Sequence, residues 1–216
     1  MYGLVLFDLD GTLTDSKEGI VNSIRYALDS FGLLMPDAAN IDKFLGPPIR
    51  DSFREFCGVE DEKMEAVVAK YREYLVKRGL FENQLYDGIE DVIEKLDAKG
   101  VKMAVATSKA TLYAEKILKY FEIDSYFGCI MGCELDGARS DKAEIIGCVL
   151  DELDSNRKMK AVMIGDRKHD IIGAAAHNID SIGVLWGYGS RAELEAAGAA
   201  KIANSTKELS HIITGV

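Results

Sequence analysis

From about residue 84 onward, strand-length apolar runs alternate with helical stretches, and this alternation narrows the possible folds more than any other feature. Ile89, Val92, Ile93 and Leu96 form a helical face that Gly100 ends. VKMAVATS (101–108) reads as a strand entering a turn, 110–121 as a helix, and CIMG (129–132) as a short strand. Residues 141–153 read as a helix, KAVMIGD (160–166) as a buried strand followed by a helix to about 177, and SIGVLW (181–186) as a strand. The tail closes on a weak strand and a short helix. Such alternation implies right-handed βαβ units and a parallel sheet with helices on both faces. One further strand stands apart at the start: Leu4, Val5, Leu6 and Phe7 are apolar at every position, as suits a strand covered on both sides.

Between that strand and the alternating part, residues 16–80 carry helical periodicity and no convincing strand. Ile20, Ile24, Leu28 and Phe31 mark one amphipathic helix, with Gly32 as its stop. FLGPPIRDSF reads as a turn followed by a helix start, and Met64, Val67, Val68, Tyr71 and Leu75 mark a third helix. The expected architecture is therefore α/β: a Rossmann-like core over 1–14 and 84–216, with an α-helical cap inserted over 15–83. The cap is expected to open and close on hinges at 14–17 and 80–86. In such sheets ligands bind beyond the carboxyl ends of the strands.

The residues at those ends carry chemistry. The first strand delivers Asp8 and Asp10, then Gly11, whose freedom suits a tight turn. Residues i and i+2 of an extended chain share a face, so the two carboxylates converge, and their repulsion requires a positive charge between them. The second strand delivers Thr107, Ser108 and Lys109, and GDRKHD delivers Asp166 and Asp170. Lys142 stands near a helix start in RSDKAEII. Three carboxylates around one point suit a hard divalent cation, Mg²⁺ first among them. A cation, a hydroxyl and a lysine together make a site for a phosphoryl group. One aspartate can then attack phosphorus to form an aspartyl-phosphate, and a second can protonate the leaving oxygen and activate water.

Composition excludes some alternatives. A net charge of −10 lacks the basic footprint of a protein that binds nucleic acid polymers. No apolar stretch is long enough to span a bilayer, and the chain does not open on a basic segment followed by an apolar run, so a cytoplasmic protein is expected. Cys57, Cys129, Cys133 and Cys148 read as free thiols on buried small side chains. The CxxxC spacing of Cys129 and Cys133 has no second pair or nearby histidine to complete a zinc site.

FDLDGT (7–12), ATSK (106–109), Lys142 in SDKAEII, and IGDRKHDIIGA (164–174) together resemble the haloacid dehalogenase superfamily of phosphatases, in the subgroup with a helical cap after the first strand. Within it the chain most resembles phosphoglycolate phosphatase-like proteins. The four stations occur in family order, so the resemblance covers essentially the whole chain. It implies Asp8 as nucleophile and metal ligand, and Asp10 as general acid/base with its backbone carbonyl a further ligand. It implies Thr107 and Lys142 as phosphoryl-binding residues, Asp166 as a metal ligand and Asp170 close behind it. Ser108 stands where many relatives have asparagine and so belongs with the phosphate-binding residues. Lys142 lacks the usual neighbouring proline, being followed by Ala143, and Lys109 and Lys168 also stand close in sequence.

Plainer readings accompany several of these residues. Ser108 also suits the N-cap of the helix from 110, and Asp170 also suits support of the helix that follows it. Arg50 reads either as a solvated helix residue or as a reach from the cap to an anionic group on the substrate. His169, His177 and His211 are isolated and suit surface or packing roles, and Arg191 with its following glutamates suits a solvated helix. The expected activity is a Mg²⁺-dependent phosphomonoester hydrolase acting on a small phosphorylated metabolite, as a monomer or homodimer. Rival readings are a 5'-nucleotidase or pyrophosphatase of the same superfamily, a sugar phosphomutase, a dehalogenase, and a non-catalytic phosphate-binding protein.

Overall fold

The computed structural model describes residues 2–37, 41, 44–45, 49–135 and 138–215. In it the apolar run Leu4–Phe7 becomes β1, fully buried along its whole length. The reason is its position. β1 lies in the middle of a six-stranded sheet, paired in parallel with β4 (Lys102–Ala110) on one side and β6 (Ala161–Gly165) on the other. β5 (Cys129–Cys133) extends the sheet beyond β4, while β7 (Asp180–Val184) and β8 (Lys201–Ala203) extend it beyond β6. All these pairings are parallel, as the βα alternation requires.

The register aligns the strand ends. Phe7 pairs with Val105 and with Ile164, so Asp8 stands beside Ala106 and Gly165, with Thr107 and Asp166 one step further on. The chain runs outward from β1 to β4 and β5, then returns to the other side of β1 to continue with β6. Ligand sites of open α/β sheets form where the strand order reverses in this way.

One sheet face is covered by the helix Lys142–Asp154 and the helix Lys168–Ala176. Ile145, Ile146, Val149 and Leu150 of the first pack with Leu4, Leu6, Ala104 and Met163 in one apolar cluster. Asp141 caps this helix by accepting from the Ala143 N–H at 2.6 Å, which places Lys142 in the first turn.

The chain divides into two compact units, Met1–Thr14 with Leu85–Val216, and Asp15–Gln84. The two crossings, β2 (Thr14–Asp15) and β3 (Gln84–Leu85), pair as a short two-stranded ribbon. The second unit is helical: Lys17–Ser30, Ile49–Cys57 and Asp61–Tyr74, the last continuing into a π-type turn at Leu75–Gly79. Ile20, Ile24 and Leu28 are buried on the helix Lys17–Ser30, and Met64, Val67, Val68 and Tyr71 on the helix Asp61–Tyr74.

Several expectations need correction. Phe31 lies past the end of its helix and is 38% exposed, because the chain turns at Gly32, whose φ of +63° is left-handed. Leu75 is buried but belongs to the π-type turn rather than to the helix. The strand expected over 181–186 ends at Val184, because Trp186 turns away to donate its indole N–H to the Thr12 carbonyl at 3.1 Å. The four cysteines are free but only half-buried. The turn expected at Gly46-Pro47-Pro48 lies outside the described residues. Among the described residues, no helix is long and apolar enough to cross a membrane.

Candidate active site

Asp8 follows β1 directly and is held by its neighbours. Its backbone N–H donates to the Ile164 carbonyl at 2.9 Å, and its side-chain Oδ1 accepts from the Leu9 N–H at 2.8 Å. The Lys142 Nζ lies 2.9 Å from the same Oδ1. Lys142 is buried, and its ammonium also meets Asp170 Oδ1 at 2.8 Å and the Ala106 carbonyl at 3.0 Å. An ammonium has three protons, and here three oxygens face it. The lysine thus ties the ends of β1 and β4 to the helix that carries Asp170.

Asp170 lies in the first turn of the helix Lys168–Ala176 and is fully buried. Its Oδ2 accepts from the Arg167 N–H at 3.1 Å and so supports the start of that helix, while its Oδ1 faces Lys142. Asp166, also fully buried, follows β6. Its Oδ2 accepts from the Tyr188 N–H at 2.7 Å, and the Thr12 hydroxyl stands 3.5 Å from its Oδ1.

Three aspartates share this space with one lysine, and the charge balance shows in their acidities. Burial, against the attraction of Lys142 and with the repulsion of Asp170, pushes Asp8 up to about 6. Burial, with repulsion from Asp170 and Asp8, pushes Asp166 up to about 8. Burial alone would lower Lys142, but Asp170 and Asp8 outweigh it and raise its proton affinity above the ordinary lysine value. Carboxylate oxygens of Asp8, Asp166 and Asp170 all lie within 4.8 Å of one another. Such an oxygen-only set, crowded enough to retain protons, fits a hard divalent cation. The Asp170 carboxylate stands in this cluster itself, whereas the side chain of Asp10 pairs with Lys109 instead.

Thr107 is buried at the end of β4, and its hydroxyl accepts from the Lys109 N–H at 3.2 Å. Ser108 does not cap the following helix: β4 runs on to Ala110, which occupies the N-cap position of Thr111–Tyr120. Arg50 forms a two-pronged pair with Glu65 inside the helical unit, with Nη2 to Oε2 at 2.9 Å, so its guanidinium is engaged there. His177 packs structurally, its Nε2 lying 2.7 Å from the Ala143 carbonyl.

Two features were not read from the sequence. One is the pairing of Lys109 with Asp10: the lysine side chain is 8% exposed and its Nζ lies 2.8 Å from Asp10 Oδ2. The other is the loop after β7, where a side chain at Gly187 would stand 2.2 Å from the Gly11 carbonyl and one at Gly189 1.8 Å from the Asp166 carbonyl. Gly11 itself has φ +85°, and a Cβ there would lie 2.4 Å from Asp166 Oδ2. The signal that could have flagged the loop is a Gly-x-Gly pair just after a buried strand.

The sequence profile of the family described as "Haloacid dehalogenase-like hydrolase" matches residues 5–184. The chain is 42% identical over 195 residues to a protein of Pseudomonas aeruginosa named 5'-nucleotidase, covering 90% of this chain and 88% of that one. It is 44% identical over 186 residues to the tyrosine-protein kinase PtkA of Mycobacterium tuberculosis, covering 86% of this chain and 63% of that one. A crystal structure of a predicted phosphatase from Clostridium acetobutylicum superimposes with a TM-score of 0.91 at 43% identity, covering 100% of both chains.

Proposed function

The chain belongs to the haloacid dehalogenase-like hydrolases, and on that premise we propose that it is a Mg²⁺-dependent phosphomonoesterase working through an aspartyl-phosphate. The observation that carries this reading is the buried Lys142 ammonium shared between Asp8 and Asp170, with Asp166 in the same cluster at the strand ends. Asp8 is the nucleophile: its carboxylate oxygen bonds to phosphorus as the bond to the ester oxygen breaks. Asp10 gives its proton to that leaving oxygen. Water then attacks the same phosphorus, its proton passes to Asp10, and the bond to Asp8 breaks to release inorganic phosphate. Thr107, Ser108 and Lys142 hold the phosphoryl oxygens, the lysine offsetting their charge. Asp8, Asp166 and the backbone carbonyl of Asp10, with Asp170 beside them, are the groups that would hold Mg²⁺, which supplies further charge neutralisation there.

The substrate class is a small phosphorylated metabolite, with phosphoglycolate as the starting candidate. The 5'-nucleotidase name of the Pseudomonas aeruginosa relative favours nucleoside monophosphates as a second reading. The test is a panel containing phosphoglycolate, nucleoside 5'-monophosphates, sugar phosphates and pyrophosphate, assayed for released phosphate with Mg²⁺ and with chelator. Mg²⁺-dependent release from at least one monoester is expected. Isomerisation of a sugar phosphate without release, or no turnover of any ester, overturns the assignment.

The raised carboxylates also predict how stability depends on pH. Asp8 and Asp166 bind protons more tightly in the folded chain, at about 6 and about 8, than their ordinary value of 3.8. The folded state therefore holds more protons than the unfolded state across that window. Their contribution is fully present below about pH 4 and is lost as pH rises towards 8. Mg²⁺ competes with those protons, so its stabilisation should grow over the same range. At a concentration about 100 times its dissociation constant, Mg²⁺ is worth roughly 2.7 kcal/mol. That is a rise in Tm of roughly 5–10 °C at pH 8 for a chain of this size. Melting curves at pH 5.5 and pH 8, with and without Mg²⁺, check this, and an equal shift at both pH values would contradict it.

A further inference from the structure

We infer that Lys109 is a positioning residue for Asp10, holding the carboxylate that serves both halves of the reaction. The inference rests on the phosphomonoesterase reading above and assigns a separate task to a lysine that the sequence offered only as a rival to Lys142. Three observations carry it. First, the Lys109 Nζ lies 2.8 Å from Asp10 Oδ2, with the lysine side chain 8% and the aspartate side chain 15% exposed. A charge-assisted pair this sheltered from water fixes orientation as well as charge. Second, Asp10 Oδ1 is buried and, among the described residues, has no hydrogen-bond partner. Lys109 is thus the side chain that anchors this carboxylate, while the other oxygen stays available for a proton. Third, the backbone is shaped to bring Lys109 there. Ala106 pairs with Met131 and Ala110 with Cys133, so β4 takes four residue steps where β5 takes two. The surplus is a bulge containing Thr107, Ser108 and Lys109, and bulges re-aim side chains out of the regular pleat. The Lys109 N–H bond to the Thr107 hydroxyl, at 3.2 Å, supports that path, and glycine at 132 leaves room for the Lys109 carbonyl, which a Cβ there would meet at 2.0 Å.

Lys142 and Lys109 therefore divide the work. Lys142 serves Asp8, the group that bonds to phosphorus, and Lys109 serves Asp10, the group that moves protons. A lysine acting through Asp10 leaves a signature that a phosphate-binding lysine does not. An aryl ester such as p-nitrophenyl phosphate departs as a weakly basic anion and needs little protonation, whereas an alkyl ester needs a full proton at its leaving oxygen. Both need the base in the second step.

The experiment compares the full-length wild type with Lys109→Met, Asp10→Asn and the double variant. The substrates are p-nitrophenyl phosphate and an alkyl phosphate that the wild type hydrolyses, with inorganic phosphate as an inhibitor and a melt for each variant. Lys109→Met is expected to lower kcat on the alkyl ester by about 10²-fold, within the usual range for acid–base help. It should leave the first turnover of the aryl ester within about tenfold of wild type, giving a burst of nitrophenolate before a slow steady state. The inhibition constant for phosphate should hold within about twofold, and the double variant should be no slower than Asp10→Asn, because the lysine acts through the aspartate. If Lys109→Met does not fold, Lys109→Gln carries the same comparison. Equal losses in the first turnover of both esters, weakened phosphate inhibition, or additive losses in the double variant overturn the positioning role. A wild type without phosphatase activity, or an Asp8→Asn variant that keeps it, overturns the underlying reading instead.

Discussion

Asp8→Asn is expected to lower turnover of p-nitrophenyl phosphate by about 10⁴-fold or more, as loss of a nucleophile that works as part of a unit does. Asparagine keeps the shape of aspartate and one oxygen to accept from the Leu9 N–H and face Lys142, the two groups that now meet Asp8 Oδ1 at 2.8 and 2.9 Å. The scaffold around it should therefore persist. The amide also removes one negative charge from a cluster that already crowds Asp166 and Asp170. Inorganic phosphate should then bind at least as tightly as to the wild type, since one repulsion towards an anion is gone. The pattern to look for is lost turnover with retained phosphate affinity and a melting temperature within a few degrees of wild type. Steady-state assay, phosphate titration and a thermal melt supply the three readings. Substantial retained turnover removes the covalent route, and lost phosphate affinity would mean that the substitution damaged the site rather than the chemistry.

The parts of this site that sequence reading reached share one physical trait: they sit where a regular pattern ends. The uninterrupted apolar run Leu4–Phe7 is unambiguous because β1 is covered on both faces, so whatever follows it lies beyond the carboxyl ends of the strands, where Asp8 is found. Asp166 after β6 is located by the same logic. Lys142 was legible because a polar stretch precedes a helical face, although its two partners come from β1 and from another helix. The remainder depends on departures from regularity. The β4 bulge that delivers Lys109 to Asp10 leaves no mark in the apolar alternation, so the pattern alone ends the strand at residue 108 and leaves Ser108 free to cap a helix. Arg50 reads as available for a ligand because Glu65 lies fifteen residues away on the next described helix of the same unit, where a one-dimensional reading does not pair them. The Gly187 and Gly189 approaches to Gly11 and Asp166 are three-dimensional fits between loops that follow different strands.

Removing the other half of the central pair should fail in a different way from Asp8→Asn. Lys142→Met keeps a long apolar stem of similar length but withdraws the ammonium that faces both Asp8 and Asp170. Truncating one partner of a buried ion pair leaves uncompensated charge in a poorly solvated place and costs about 3–5 kcal/mol. For a chain of this size that is a fall in Tm of roughly 6–20 °C. The loss should shrink at acid pH. With the lysine gone, repulsion raises the proton affinity of Asp8 above its present value of about 6, so protonation near pH 5.5 relieves charge that is unrelieved at pH 8. Turnover should drop as well, by about 10²–10³-fold, the usual effect of deleting one group that stabilises developing charge. Mg²⁺ should recover part of the stability, because a cation among the same carboxylates replaces some of the missing charge, yet little of the turnover. Asp8→Asn is thus expected to be stable and inactive, and Lys142→Met unstable in a pH- and metal-dependent way. A Lys142→Met variant that melts like wild type at pH 8 without metal would show that the ammonium does not hold these two carboxylates together in solution.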